Sequence, residues 1–445
     1  MKRICIANAT IINESRTFVG SVLIENDRIA RIIAHDRQQQ LPICDETVDA
    51  EGCYLLPGII DDHVHFREPG LTHKADIESE SRAAAAGGVT SYFDMPNTSP
   101  QTTTLKALEE KREIAAKNSL INYSFFFGAT NTNAEELPAL DTKRICGVKL
   151  FMGSSTGNML VNEQNALERI FRTSPLPIMV HCEDSQIIDR NMRYYQSVYG
   201  FDPDIRFHPL IRSAEACYRS TALAVRLANE SGAKLHIAHV STAHELELIR
   251  PENPRITAEA CIAHLLFCDK DYATLGTKIK CNPSVKTEKD RDALRKALTN
   301  GRIAVIGTDH APHLLTEKEG GAATAVSGMP MIQFSLVSAL ELVESGILNI
   351  EQLVRLMCHN PAKLFDISER GFLREGYKAD MVLIRRKPWT LTSDMVKSKC
   401  KWSPLEGKTF NWRVEQTFCN GIRVYDALSD TFSEHLAGEE ICFNR

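Results

Sequence analysis

The chain has little of what would tie it to a membrane, to nucleic acid or to an oxidising compartment. No stretch approaches the ~18 apolar residues of a membrane-spanning helix. The opening Met1-Lys2-Arg3-Ile4-Cys5-Ile6-Ala7-Asn8 lacks the longer apolar core of a secretory signal. No long basic run occurs, and 52 Lys and Arg stand against 57 Asp and Glu for a net charge of −5, which argues against a nucleic-acid or anionic-membrane surface. Small molecules are therefore the expected partners and the cytoplasm the expected compartment. The 13 cysteines are odd in number and form no Cys-x-x-Cys pair, so neither a disulfide framework nor a thiolate zinc site is indicated. They read as reduced packing residues. With 445 residues and 43% apolar content the chain can bury one large core and a smaller one, which excludes disorder.

What is present is an alternation of strand-like and helix-like segments. Apolar runs of strand length occupy 58–62, 89–93, 121–127, 146–151, 176–180, 234–238, 255–258 and 302–307. Amphipathic or alanine-rich stretches lie between several of them, as at Glu78–Ala86, Thr104–Lys117, Ala214–Glu230 and Asp290–Thr299. Eight such units predict an α/β fold, a (β/α)8 barrel over residues 55–365, with an insertion at 190–213. The ends read differently. Ser21–Ile33 reads as two strands around an Asn-Asp turn, and Ala379–Ile384 and Val414–Tyr425 also read as strands. Residues 1–54 and 366–445 are thus expected to form a smaller composite β domain, although an N-terminal strand pair packed directly on the barrel is the alternative.

In barrels of this kind reactive groups sit at the C-terminal ends of strands. His63 and His65 end the first strand, Asp94 to Asn97 follow the second, Lys149 lies near the end of the fourth, and His181, His239 and Asp309 end the fifth, sixth and eighth. Alternation puts Asp61, His63 and His65 on one strand face, a spacing that suits chelation; taken alone, His63 and His65 read rather as satisfied core histidines, and the residues further along the chain overturn that. Four histidines and a carboxylate on one rim make a nitrogen and oxygen set suited to Zn²⁺, and five ligands exceed one tetrahedral site. Two ions activating a bridging water for hydrolysis are therefore expected. Lys149 needs neutralising beside such cations. Its readings are a desolvated amine that captures carbon dioxide as a bridging carbamate, an ordinary ion-paired lysine, or a Schiff-base lysine.

Taken together these segments resemble the amidohydrolase superfamily and, within it, the dihydroorotases. The resemblance spans essentially the whole chain. It is carried by Pro57-Gly58-Ile59-Ile60-Asp61-Asp62-His63-Val64-His65-Phe66-Arg67-Glu68-Pro69-Gly70, Asp94-Met95-Pro96-Asn97-Thr98, His181-Cys182-Glu183, His236-Ile237-Ala238-His239 and Gly307-Thr308-Asp309-His310-Ala311-Pro312-His313. It implies that His63, His65, Lys149 as its carbamate, His181, His239 and Asp309 hold two Zn²⁺ ions bridged by hydroxide, with Asp309 as the proton carrier. It further implies that Arg67, Asn97 and His313 bind the substrate carboxylate and neighbouring oxygens. Asn282 would contact the pyrimidine ring, although Asn282-Pro283-Ser284-Val285-Lys286 departs from the commoner Asn-Pro-Pro-Leu-Arg wording.

The activity so implied is the reversible hydrolysis of L-dihydroorotate to N-carbamoyl-L-aspartate in pyrimidine biosynthesis. The alternatives are a hydantoinase or allantoinase, separated from it by the arginine and asparagine positions, and a non-catalytic scaffold, recognised by loss of the metal histidines that this chain keeps. The alternative for Arg67 is a rim ion pair with Glu68, Asp62 or Asp94. Lys318-Glu319-Gly320-Gly321 reads as a mobile loop near the rim rather than a phosphate loop. His208, His244 and His264 read as surface or packing histidines, and Cys182 as a packing residue facing away from His181. A homodimer is an open expectation, since symmetric interfaces leave no readable motif.

Overall fold

The computed structural model describes residues 2–35, 43–153 and 159–445. Eight parallel strands in chain order make one sheet: β1 (Ile59–Val64), β2 (Val89–Asp94), β3 (Asn122–Gly128), β4 (Gly147–Phe151), β5 (Ile178–His181), β6 (Leu235–Ile237), β7 (Ile256–Cys261) and β8 (Val305–Gly307). The last strand meets the first just beyond β8, where Val64 bridges His310, the His65 amide donates to the His310 carbonyl at 2.7 Å, and Thr308 Oγ1 donates to Asp61 Oδ2 at 2.6 Å. These contacts close the expected barrel. Strands covered on both faces must be apolar almost throughout, which is why they were readable as short continuous runs.

Helices α1 (Ile77–Ala86), α2 (Leu105–Asn118), α3 (Gln164–Thr173), α4 (Ser185–Tyr199), α5 (Ala214–Ser231) and α6 (Glu288–Ala297) accompany the strands. Their starts follow from side chains that satisfy orphan amides: Asp76 accepts from the Ser79 amide, Thr104 from Ala107, Ser213 from Ala216 and Thr287 from Asp290. The β3–β4 connection contains only the 3-10 turn Ala134–Ala139. The insertion begins earlier than its sequence suggests, as α4 followed by the short helix His208–Ile211.

A second, nine-stranded sheet is built from both ends of the chain. Arg3–Asn13, Arg16–Glu25, Arg28–Ala34, Glu46–Asp49 and Cys53–Pro57 come from the first part; Met381–Thr390, Thr409–Cys419, Ile422–Asp426 and Thr431–Phe432 come from the last. Cys53–Pro57 is the seam. It pairs in parallel with Arg3–Asn13 and antiparallel with Met381–Thr390, then runs directly into β1. Ile6, Ile11, Val22, Ile24, Leu55, Met381 and Phe418 form the core on this sheet. The chain end returns to the barrel, where the Tyr123 amide donates to the Glu439 carbonyl at 3.0 Å and the Ile441 amide to the Tyr123 carbonyl at 2.9 Å. There Ile441 and Phe443 join Ile60, Phe93, Phe126, Met179 and Phe365 in one cluster. Among the described residues no helix is long and apolar enough to cross a membrane.

Candidate active site at the C-terminal rim of the barrel

Two groups of donor atoms converge above the strand ends. In the first, Asp309 Oδ1 lies 3.0 Å from His65 Nε2 and 3.4 Å from His63 Nε2. In the second, His181 Nδ1 lies 3.0 Å from His239 Nε2. The two groups adjoin, since the rings of His63 and His239 are 5.2 Å apart. Tetrahedral ligands about 2.0–2.1 Å from a zinc ion are spaced about 3.3 Å from one another, so both groups have the spacing of donors that share an ion.

The outward nitrogens fix the tautomers. His63 Nδ1 donates to Glu259 Oε2 at 2.9 Å, His65 Nδ1 to Asn97 Oδ1 at 2.8 Å, and His181 Nε2 to Glu183 Oε2 at 2.9 Å. Each imidazole therefore turns a lone pair inward, the usual second layer of a metal centre. Burial pushes the His65 imidazole down to about 4 and lowers those of His181 and His239, keeping all three neutral. Burial alone would raise Asp309, but His63 and His65 hold its carboxyl well below the usual carboxylate range.

Lys149 projects from β4 fully buried, and its Nζ has no hydrogen-bond partner among the described residues. Burial lowers its pKa against the pull of Glu259 and Asp309. An isolated buried ammonium costs several kcal/mol. A free amine does not carry that penalty, and it is the form that can become a carbamate. The orphaned Nζ and the inward lone pairs fit a pair of divalent cations. Cys261 lies within ligand reach of His63 and Glu259, but burial holds its thiol well above the usual range, and it donates to Glu259 Oε1 at 3.3 Å.

Backbone strain marks the same rim. Arg67, His239 and Asp309 adopt φ of 68°, 37° and 49°, the left-handed region that non-glycine residues avoid. Below them Asp94, at the end of β2, accepts from the Phe66 amide at 2.8 Å and pairs with Lys111 Nζ at 2.5 Å, while Lys111 also donates to the Met95 carbonyl at 2.8 Å. That buried knot carries the turn leading to Asn97.

Beside the cluster lies a cationic corner. Arg67 is 8% exposed, its Nε donates to the Pro312 carbonyl at 3.1 Å, and its Nη2 lies 2.9 Å from His313 Nε2. Among the described residues no carboxylate is within ion-pair distance of Arg67, so the rim pairing with Glu68, Asp62 or Asp94 is not made. Lys74 Nζ lies 3.1 Å from His313 Nδ1 and pairs with Glu317 at 2.6 Å. Burial, then Arg67 and Lys74, drive the His313 imidazole far below its usual range. Asn282 presents a buried Oδ1 with no partner among the described residues.

Glu259, Arg212 and Lys74 escaped the sequence reading. Glu259 stands in β7 just beyond the apolar run 255–258, and an acid inside a barrel strand was the available signal. Arg212, which pairs with Glu183 behind His181, lies in the insertion and gave none. Lys318, read as part of a mobile loop, is instead 2% exposed. His208 and His264 are packed against backbone carbonyls, of Cys281 and Pro283, at 3.0 Å each, whereas His244 is stacked on Tyr218 at 3.7 Å. Cys182 is buried in the main core.

Residues 54–424 match the amidohydrolase family. The chain is 32% identical to a dihydroorotase of Methanosarcina acetivorans over 92% of this chain and 89% of that one. It is 31% identical to an allantoinase of Bacillus velezensis over 86% of each. Its structure overlays on an L-hydantoinase (dihydropyrimidinase) from Arthrobacter aurescens with a TM-score of 0.93, at 26% identity, covering 99% of this chain and 100% of the other.

Proposed function

We propose that this chain, which belongs to the amidohydrolase family and is a hydrolase of cyclic amides, interconverts L-dihydroorotate and N-carbamoyl-L-aspartate, a step of pyrimidine biosynthesis. The observation that carries this reading is Arg67. A guanidinium has five N–H donors, and this one is buried and, among the described residues, meets only the Pro312 carbonyl and the His313 ring. The His313 ring beside it is neutral and supplies no charge. Such a cation calls for an anion from outside the protein, and dihydroorotate carries a carboxylate that a plain hydantoin ring lacks.

His63, His65, His181, His239, Asp309 and Lys149 as its carbamate would hold two divalent cations, Zn²⁺ by donor type. Bound there, the ions would supply an activated water and polarise the ring carbonyl to be attacked. Arg67 binds the substrate carboxylate, and Asn282, with its unpaired Oδ1, faces the ring N–H groups. Asp309, an ionised carboxylate at neutral pH, accepts the proton of the attacking water. As the bond between acyl carbon and ring nitrogen breaks, it returns that proton to the departing nitrogen. In the reverse direction the same carboxylate takes the proton from the ureido nitrogen as the ring closes and water leaves.

A hydantoinase or allantoinase is the second reading, supported by the overlay and identity above; Arg67 weighs against it. The test is the ultraviolet absorbance of L-dihydroorotate on adding zinc-loaded protein, with hydantoin and allantoin in parallel and a chelated control. Metal-dependent loss of dihydroorotate alone is the expected result. Turnover confined to hydantoin or allantoin would overturn the reading.

A further inference from the structure

One buried cation near the rim takes part in none of these steps. Lys318 is 2% exposed, and its Nζ donates to the carbonyls of Lys280 at 3.1 Å, Val326 at 2.8 Å and Gly328 at 2.7 Å. All three of its donors are thereby used. Among the described residues no carboxylate is within ion-pair distance of it. A charge buried among carbonyls alone is a poor stabilising device, so the identity of those carbonyls matters.

Val326 and Gly328 flank Ser327, whose own carbonyl lies 3.0 Å from His313 Nε2. The third carbonyl, of Lys280, belongs to the segment that leads to Asn282. One ammonium therefore ties together the two loops that bear His313 and Asn282. The fit is close: Gly328 has φ of 133°, and a Cβ there would stand 2.9 Å from His313 Cδ2. Lys280 repeats the tie in the opposite direction, its Nζ donating to the Ala325 carbonyl.

The opposite side of the His313 ring is held by the preceding residue. Glu317 pairs with Lys74, and Lys74 Nζ faces His313 Nδ1 at 3.1 Å. An ammonium can only donate and a carbonyl can only accept, so the Lys74 and Ser327 contacts both call for Nδ1 to accept and for the proton to sit on Nε2, against the single contact of Arg67 with Nε2. In that tautomer Nε2 has no lone pair for Arg67 Nη2, 2.9 Å away, so that guanidinium N–H faces another donor and is released toward an acceptor on a ligand.

We propose that Lys318 is a positioning residue: by pinning the carbonyls on either side of Ser327 it sets the tautomer and orientation of His313, and so keeps Arg67 free to clamp the substrate carboxylate. The inference rests on the reading that the substrate carries one.

The test compares wild-type and Lys318→Met proteins, both zinc-loaded, by steady-state kinetics on L-dihydroorotate, by zinc content, and by long-range proton–nitrogen NMR of the His313 ring, assigned with His313→Gln. The wild-type ring is expected as the neutral Nε2–H tautomer. The variant is expected to raise KM at least tenfold while kcat stays within about threefold and zinc content is unchanged, with a mixed tautomer population. A wild-type Nδ1–H ring, or a KM within twofold of wild type, would overturn the proposal, as would a joint fall of kcat and zinc content. If Lys318→Met does not fold, Lys318→Gln, which keeps an amide donor, is judged by the same criteria. The two failures separate cleanly: wild-type protein inert toward dihydroorotate removes the function, whereas active wild type with an indifferent Lys318 variant removes only this inference.

Discussion

The Asn97 side-chain oxygen accepts a hydrogen bond from His65 Nδ1 at 2.8 Å, so the asparagine expected to touch substrate also orients an imidazole of the candidate metal cluster. That contact leaves the His65 Nε2 lone pair pointing at the space shared with Asp309. Outer partners of this kind typically contribute 10- to 100-fold to metal affinity. Asn97→Ala should therefore weaken zinc binding about tenfold or more, read by competition with a chromophoric chelator. Unchanged affinity would confine Asn97 to the substrate.

Asp309→Asn keeps an oxygen near His63 and His65 but removes the proton carrier. Turnover should fall by about 10²–10⁴-fold, with folding intact by circular dichroism. Substantial activity in the variant at full zinc content would remove Asp309 from that role.

Lys149 offers a chemical test. Protein stripped of metal and reloaded with zinc in bicarbonate-free buffer should recover less activity than protein reloaded with bicarbonate. A ¹³C-bicarbonate-treated sample should show a carbamate carbon that Lys149→Gln lacks. Equal recovery without bicarbonate, and no such resonance, would leave Lys149 an unmodified amine.

The Asp94–Lys111 pair is fully buried, and breaking a buried pair from one side leaves an uncompensated charge. Lys111→Met should cost about 3–5 kcal/mol in urea unfolding. A loss below about 1 kcal/mol would mean that the Phe66 amide alone satisfies Asp94.

The barrel was legible because its strands are buried on both faces and so spell short apolar runs; the structure puts a strand at each of the eight. Its seam was harder to read, since Cys53–Pro57 pairs with strands from both ends and nothing local announces a partner more than 300 residues away. The rim histidines were legible because each lies at or just beyond the end of a strand. Glu259 and Lys318 were not, for the opposite reason. Glu259 reaches His63 across 196 positions, and Lys318 meets the Lys280 carbonyl across 38, contacts that exist only once the barrel has closed. A lysine beside two glycines reads as a surface loop until its ammonium is seen to be enclosed.

The central claim is that a buried guanidinium selects a ring bearing a carboxylate, and Arg67→Met tests it most directly. A hydrogen-bonded charge pair contributes about 1.5–3 kcal/mol, or roughly 10- to 100-fold in binding. The account predicts that kcat/KM for L-dihydroorotate falls by about that factor in the variant, mainly through KM, while binding of dihydrouracil, the same ring without the carboxylate, read as competitive inhibition, does not weaken. An unchanged KM for dihydroorotate, or an equal loss for both rings, would contradict it.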